Sequence, residues 1–228
     1  MTPRIVILSA PSGGGKTAVM KTVRERYPDR FGYSVSATTR RPRPGEQDGT
    51  AYYFLTRREF ERRRDSGELL EWAEYAGELY GTLKSEVRAV LERGMNVLLD
   101  IEVTGARQVR AVYPKPASIS IFLVPPSAKV LLERLRARRT ESPRELAERV
   151  QIAVQEIQTA AQDVRSAIVY DHVVVNDDLD LAVSRIVEIV DQPDLVKHRT
   201  TDMMLLIADL VRDLEQESVQ LQSSLKEQ

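Results

Sequence analysis

The amino-acid sequence predicts an open parallel α/β sheet with helices packed over both faces. Two observations carry that expectation. Arg4–Ser9, Met95–Asp100, Ile119–Val124 and His172–Asn176 are short, continuous apolar runs rich in β-branched residues, the composition of strands buried on both faces. Among them lie helix-like stretches, Thr17–Arg26, Ser85–Arg93, Ala128–Arg139 and Pro143–Val164, and strand alternating with helix is how a parallel sheet is threaded.

Taken in order, the first apolar run leads directly into a glycine-rich turn and then the first helix. From Tyr33 to Gly81 the alternation breaks. Arg41-Pro42-Arg43-Pro44-Gly45 is turn-rich and Tyr52-Tyr53-Phe54 suggests a short strand, so this stretch is expected to be a small subdomain set into the core. The Pro125-Pro126 break then opens a basic helical region carrying Arg134, Arg136, Arg138, Arg139, Arg144 and Arg149. After Pro193, Met203, Ile207, Leu210 and Leu214 recur at 4-3-4 spacing, which predicts an amphipathic helix. That helix either docks on its own core or joins copies of the chain; the heptad barely reaches the length a coiled coil needs.

Composition removes several function classes. The chain of 228 residues has Lys+Arg 33 against Asp+Glu 34, a formal charge of -1, so no global positive field draws it to nucleic acid. Cys 0 and His 2 exclude thiolate catalysis, iron–sulfur clusters and zinc–cysteine or histidine-rich metal centres. The apolar runs are strand-sized and the N-terminus lacks the layout of a signal segment. A soluble, cytoplasmic protein with neither nucleic acid nor membrane as partner is expected.

The most informative motif follows the first strand: Ala10-Pro11-Ser12-Gly13-Gly14-Gly15-Lys16-Thr17. Glycines let successive backbone N–H groups converge on phosphate oxygens, and the helix N-terminus behind them adds partial positive charge. Lys16 supplies an ammonium for the β- and γ-phosphates, and the Thr17 hydroxyl is a ligand for Mg²⁺. The same residues formally satisfy a dinucleotide fingerprint, G-x-G-x-x-A, but that motif wants an acidic residue closing the next strand, and Tyr33–Ser36 ends without one. Asp100, which closes the apolar run Val97-Leu98-Leu99, is the natural second member of a nucleotide–metal site.

The inserted stretch speaks to the acceptor of a phosphoryl group. Ser34 to Glu46 packs hydroxyls and guanidiniums together, and arginine forks bind phosphate oxygens in pairs. Glu71-Trp72, Tyr80-Gly81-Thr82 and Asp100-Ile101-Glu102 add carboxylates and hydroxyls. Guanine presents N1–H and N2 amine donors beside its O6 acceptor, a pattern these side chains answer; adenine would leave the carboxylates unpaired.

From about Arg4 to Val190 the chain resembles the guanylate kinase family. The resemblance rests on Ser9–Thr17, Val35-Ser36-Ala37-Thr38-Thr39-Arg40, Arg43-Pro44-Gly45-Glu46, Glu71-Trp72-Ala73, Tyr80-Gly81-Thr82, Leu99-Asp100-Ile101-Glu102 and Val175-Asn176-Asp177-Asp178. It implies a P-loop NTPase-type parallel sheet core within residues 1–192, with a GMP-binding insert of about 33–92, a lid of about 127–149, and a C-terminal helical extension, 193–228. It further implies ATP-dependent phosphorylation of GMP and dGMP, with Mg²⁺ as cofactor. Ser36, Glu71, Thr82 and Glu102 would face the guanine, and Arg40, Arg43, Tyr52 and Tyr80 would hold the GMP phosphate, with Glu46 and Asp100 beside them. Ala10 to Thr17, Arg134 and Asn176 would bind ATP, while Lys16, Arg40, Arg138 and Arg149 would act on the transferring phosphoryl. Thr17 would ligate Mg²⁺ directly and Asp100 through water.

The sequence departs from the family pattern at Ala10, where Gly is usual, at Thr82 and Glu102, where Ser and Asp are usual, and at Arg139, where Gly is usual. Two other readings remain open at this level: a small kinase acting on another phosphorylated acceptor, and a non-catalytic interaction module of guanylate-kinase-like fold. Intact Lys16, Thr17 and Asp100 speak against the module, and Glu71 and Glu102 against a sugar acceptor.

Overall fold

The computed structural model describes residues 2–75, 77–137, 143–166, 169–193 and 200–226. In chain order its elements are β1 (Ile5–Ser9), α1 (Lys16–Arg26), β2 (Phe31–Tyr33), β3 (Ser36–Thr38), β4 (Tyr53–Phe54), α2 (Arg57–Asp65), β5 (Leu69–Tyr75), β6 (Glu78–Leu83) and α3 (Lys84–Glu92). Then come β7 (Asn96–Asp100), α4 (Val103–Val112), β8 (Ser118–Val124), α5 (Ala128–Arg136), α6 (Pro143–Ser166), β9 (His172–Val175), α7 (Leu179–Asp191) and α8 (Thr200–Lys226).

The strands form a five-stranded sheet in the order β2-β7-β1-β8-β9 and a four-stranded sheet in the order β4-β3-β6-β5. In the larger sheet the β2–β7 and β8–β9 ladders are parallel. Every residue of β1 and β8 is buried, as the continuous apolar runs require. The smaller sheet pairs β3 with β6 and β6 with β5 antiparallel. The run Tyr33–Ser36, expected as a single strand, is divided. Phe31–Tyr33 pairs with β7 in the parallel sheet, whereas Ser36–Thr38 pairs with β6 in the other. Ser34 and Val35 carry the chain from one sheet to the next.

By internal contacts the chain falls into two compact units, residues 1–7 with 24–119, and residues 8–23 with 120–228. In the first, the smaller sheet has its own core of Ala37, Phe60, Leu69, Leu79 and Leu83, with Tyr53, Leu55 and Trp72 packed around it. In the second, α8 runs along α6 and also meets α5. Ile207, Leu210 and Leu214 of α8 are buried, and Gln158 Nε2 of α6 donates to Glu215 Oε1 at 2.8 Å. Three residues of the predicted apolar face of the C-terminal helix, Ile207, Leu210 and Leu214, therefore dock within their own unit; the Met203 side chain lies outside the described ones. Among the described residues no helix is long and apolar enough to cross a membrane.

Candidate active site

The phosphate loop occupies the turn between β1 and α1. Gly13 and Gly15 take positive φ, 80° and 88°, a region open to glycine and costly for other residues. Gly15 is also crowded: a Cβ there would collide with the Asn176 side-chain amide. Asn176, just beyond β9, donates from Nδ2 to the Gly14 carbonyl at 2.8 Å, and Gly14 N–H donates to the Pro11 carbonyl at 2.8 Å. The loop is thus held by its own turn and by the end of a neighbouring strand. Lys16 opens α1 half-buried and Thr17 follows exposed. The first turn of α1 carries no acidic side chain, so nothing on the helix offsets its N-terminal partial charge.

Arg134 of α5 reaches the same loop. Its Nη2 donates to the Asn176 carbonyl at 2.9 Å, while Nη1 is buried without a hydrogen-bond partner among the described residues. Burial pushes the Arg134 guanidinium below its ordinary pKa, although an arginine stays charged at any physiological pH. A cation held there against one neutral carbonyl is suited to an incoming anion. Arg149 lies half-buried on α6. Arg138 and Arg139 lie outside the described residues. One contact was not foreseen: Glu156 of α6 accepts the Ser12 N–H at 2.9 Å. No local motif announces it, because Glu156 stands in a helix of mixed polar residues and meets the loop only through the fold.

In the other unit, strand register assembles the residues expected to read a base. Ser36 of β3 lies opposite Thr82 of β6, which lies opposite Glu71 of β5. The three therefore share one row across the sheet and point to one face. Thr82 Oγ1 donates to Glu71 Oε1 at 2.6 Å, a bond buried from solvent. Asp100 ends β7. Glu102, the N-cap residue of α4, is exposed and its side chain caps no backbone N–H.

A basic corner adjoins this row. Arg40 Nη1 and Nη2 fork onto the Glu46 carboxylate at 3.0 and 2.9 Å, and Glu46 also accepts the Arg43 N–H at 2.7 Å. The hydrogen bond to Glu46 lifts the Arg40 pKa further, and those to Arg40 and Arg43 hold the Glu46 carboxyl below its usual value. The Arg40 guanidinium sits over the Tyr52 ring, 5.4 Å from its centre, and Tyr52 meets Tyr80 edge-on at 6.0 Å. Arg43 is exposed. Tyr33 was not foreseen. Burial, with the Asp100 charge next in size, pushes its phenol up to about 12, and Arg24 stacks over its ring at 4.7 Å. Its position at the carboxyl end of a parallel strand, where such sheets bind ligands, was the available signal.

A glycine loop joining a buried strand to a helix, with a lysine and a hydroxyl at the helix start, defines a phosphate-loop nucleotide-binding protein. The comparisons with known proteins narrow that class. The guanylate kinase family model matches residues 2–193. The guanylate kinase of Synechocystis sp. is 45% identical over 191 residues, covering 84% of this chain and 95% of that one. That of Carboxydothermus hydrogenoformans is 40% identical over 202 residues, covering 89% and 94%. The crystal structure of guanylate kinase from Anaplasma phagocytophilum superposes with a TM-score of 0.64 at 31% identity, covering 90% of this chain and 94% of that one. The chain belongs to the guanylate kinase family. Its reaction is the phosphorylation of GMP by ATP.

Proposed function

We propose that the two groups of residues divide the reaction between them, the phosphate loop taking ATP and the Ser36–Thr82–Glu71 row taking the guanine of GMP. The observation that carries this reading is the Thr82–Glu71 bond. It holds one carboxylate oxygen and leaves the group oriented as an acceptor for the N1–H and N2 amine of guanine. Glu102 adds a second carboxylate at the start of α4. Arg40, Arg43, Tyr52 and Tyr80 take the GMP phosphate, and Glu46 holds the Arg40 fork in place until it does. Lys16 and the loop amides take the β- and γ-phosphates of ATP, Arg134 and Asn176 lie at the ATP base and phosphates, and Arg138 and Arg149 close on the transferring group.

The GMP phosphate is already anionic at neutral pH, so its oxygen attacks the γ-phosphorus without a general base. That accounts for a site built of Lys, Arg and hydroxyls. Catalysis is then positioning and charge neutralisation, and closure of the lid of about 127–149 keeps water from accepting the phosphoryl instead.

Mg²⁺ fits the donor set. It is bound through one or two protein oxygens plus substrate phosphates and keeps several waters, and the Thr17 hydroxyl and Asp100 carboxylate are hard oxygen donors of that kind. When bound it neutralises charge on the phosphates. Chelation by EDTA should abolish turnover, and added Mg²⁺ should restore it. The cytoplasm is the proposed compartment, on the cysteine-free composition. Self-association through α8 is proposed only for the side carrying Leu205 and Val219, which are 61% and 63% exposed, because the other side is docked; light scattering on the full chain and on a Leu205→Glu/Val219→Glu variant tests it.

The decisive assay is coupled ADP release with ATP, Mg²⁺ and a panel of GMP, dGMP, AMP, CMP, UMP and dTMP. Strong turnover of GMP, weaker of dGMP and little of the rest is expected. Glu71→Gln should cut kcat/KM for GMP by about a hundredfold or more while KM for ATP holds. An unchanged kcat/KM for GMP would remove Glu71 from the base site.

A further inference from the structure

Glu71 is buried, with 5% of its surface exposed, and such a carboxylate keeps a fixed orientation only if its surroundings enforce it. Thr82 accounts for Oε1. The other oxygen lies against α4. A Cβ built on Gly105 would fall closer than 3.0 Å to Glu71 Oε2 and 3.1 Å from its carboxyl carbon, so the carboxylate occupies the space that a side chain at 105 would need. Gly105 is helical and buried, and glycine inside a helix is less favourable than alanine. Close approach of Glu71 is the reason for it here.

One turn further along α4, Gln108 clasps the next residue of β5. The Trp72 N–H donates to Gln108 Oε1 at 3.1 Å, and Gln108 Nε2 donates to the Trp72 carbonyl at 2.7 Å. β5 is an outer strand of the smaller sheet, so its outward amide and carbonyl would otherwise lack a ladder partner. A single side-chain amide stands in for the missing strand at the residue that follows Glu71. Gly105 and Gln108, three positions apart on one helix face, therefore grip the residue and its neighbour from one side while Thr82 grips it from the other.

We propose that Gly105 and Gln108 are positioning residues for base selection: α4 holds the Glu71 carboxylate in the orientation that accepts from guanine, so discrimination between purines is set in part by a helix acting through Glu71. The inference rests on the reading of Glu71 as a guanine acceptor. A helix that merely stabilised the sheet would lower stability or turnover without changing which purine is preferred.

The test uses the full chain and three variants, Gly105→Ala, Gln108→Met and Glu71→Gln, each checked for folding by circular dichroism and thermal melting. Steady-state constants are measured with GMP, with IMP, which lacks the N2 amine, and with ATP. Gly105→Ala should raise KM for GMP by about tenfold and shrink the GMP-to-IMP ratio of kcat/KM by a similar factor, with KM for ATP unchanged. Gln108→Met, which keeps the chain length and removes both hydrogen bonds, should move the same ratio in the same direction and carries the test should Gly105→Ala not fold. A wild-type GMP-to-IMP ratio in folded Gln108→Met and Gly105→Ala would overturn the proposal, whatever their stability. If Glu71→Gln also keeps the wild-type ratio, the guanine reading itself fails and the proposal falls with it; if Glu71→Gln loses the ratio while the α4 variants keep it, only the positioning role is lost.

Discussion

Lys16 stands where a glycine loop hands over to a helix, and the proposed function gives it the phosphates of ATP. Lys16→Ala should lower kcat by at least about a hundredfold with the circular dichroism spectrum unchanged; near-wild-type turnover would refute the loop's role. Tyr33 offers a second test at this scale. Its phenol titrates near 10 when unfolded and is held at about 12 in the fold. A raised pKa means that the folded protein keeps a proton the unfolded chain gives up, so this contribution is whole below pH 10 and lost as pH rises toward 12. Urea unfolding at pH 8 and pH 11 should therefore show a smaller alkaline loss in Tyr33→Phe than in the parent chain. Residues that act through their immediate neighbours were legible: the loop from Ala10 to Thr17 is contiguous, and each type has its own chemical reason. Glu156, Gln108 and Gly105 were not, because each meets its partner across 36 residues or more of chain or only through a close packing contact.

Elements differ in how openly they declare themselves. The buried strands were plain because a continuous apolar run allows little else. Helix α2 was missed: only Phe60 of Arg57–Asp65 is buried, so no apolar period exists to detect. It is held by its cap, Thr56 accepting the Glu59 N–H at 3.2 Å, and by Arg62 and Arg63 paired to Glu59 and Glu68. Those ion pairs are largely exposed and weak. Thr56→Ala should cost about 1 kcal/mol, seen as a lower urea midpoint with an unchanged slope. Helices α4 and α7 were missed for the opposite reason. Their valines and isoleucines are strand-like locally, and tertiary packing overrides that preference. In α8, Leu214 is fully buried; Leu214→Ala should cost about 2–5 kcal/mol, with kcat for GMP preserved because the helix bears on stability.

For the whole molecule, the alternation of strand and helix disclosed the larger sheet, while the smaller one was visible only as a break in that pattern and as the short Tyr52–Phe54 run. A strand as short as Ser36–Thr38 carries too few residues for a period to register. Ser36, Glu71 and Thr82 could each be named from the motifs, but that they stand in one row needed strand register, since they are scattered in the chain and meet only in the ladder. The tail is the clearest whole-chain test. Truncation after Gln192 should leave a folded chain that turns over GMP at close to the parent rate but melts lower; loss of turnover in a folded truncation would place the tail in the working assembly. The packing of α8 on α6 also has a consequence for biogenesis. Ser166 and Lys226 are 60 residues apart, and at about 5–20 residues per second a ribosome needs several seconds to cover that interval. During that time α6 has been made and its cover has not, so its apolar face stands open on the nascent chain, where such surface invites a chaperone.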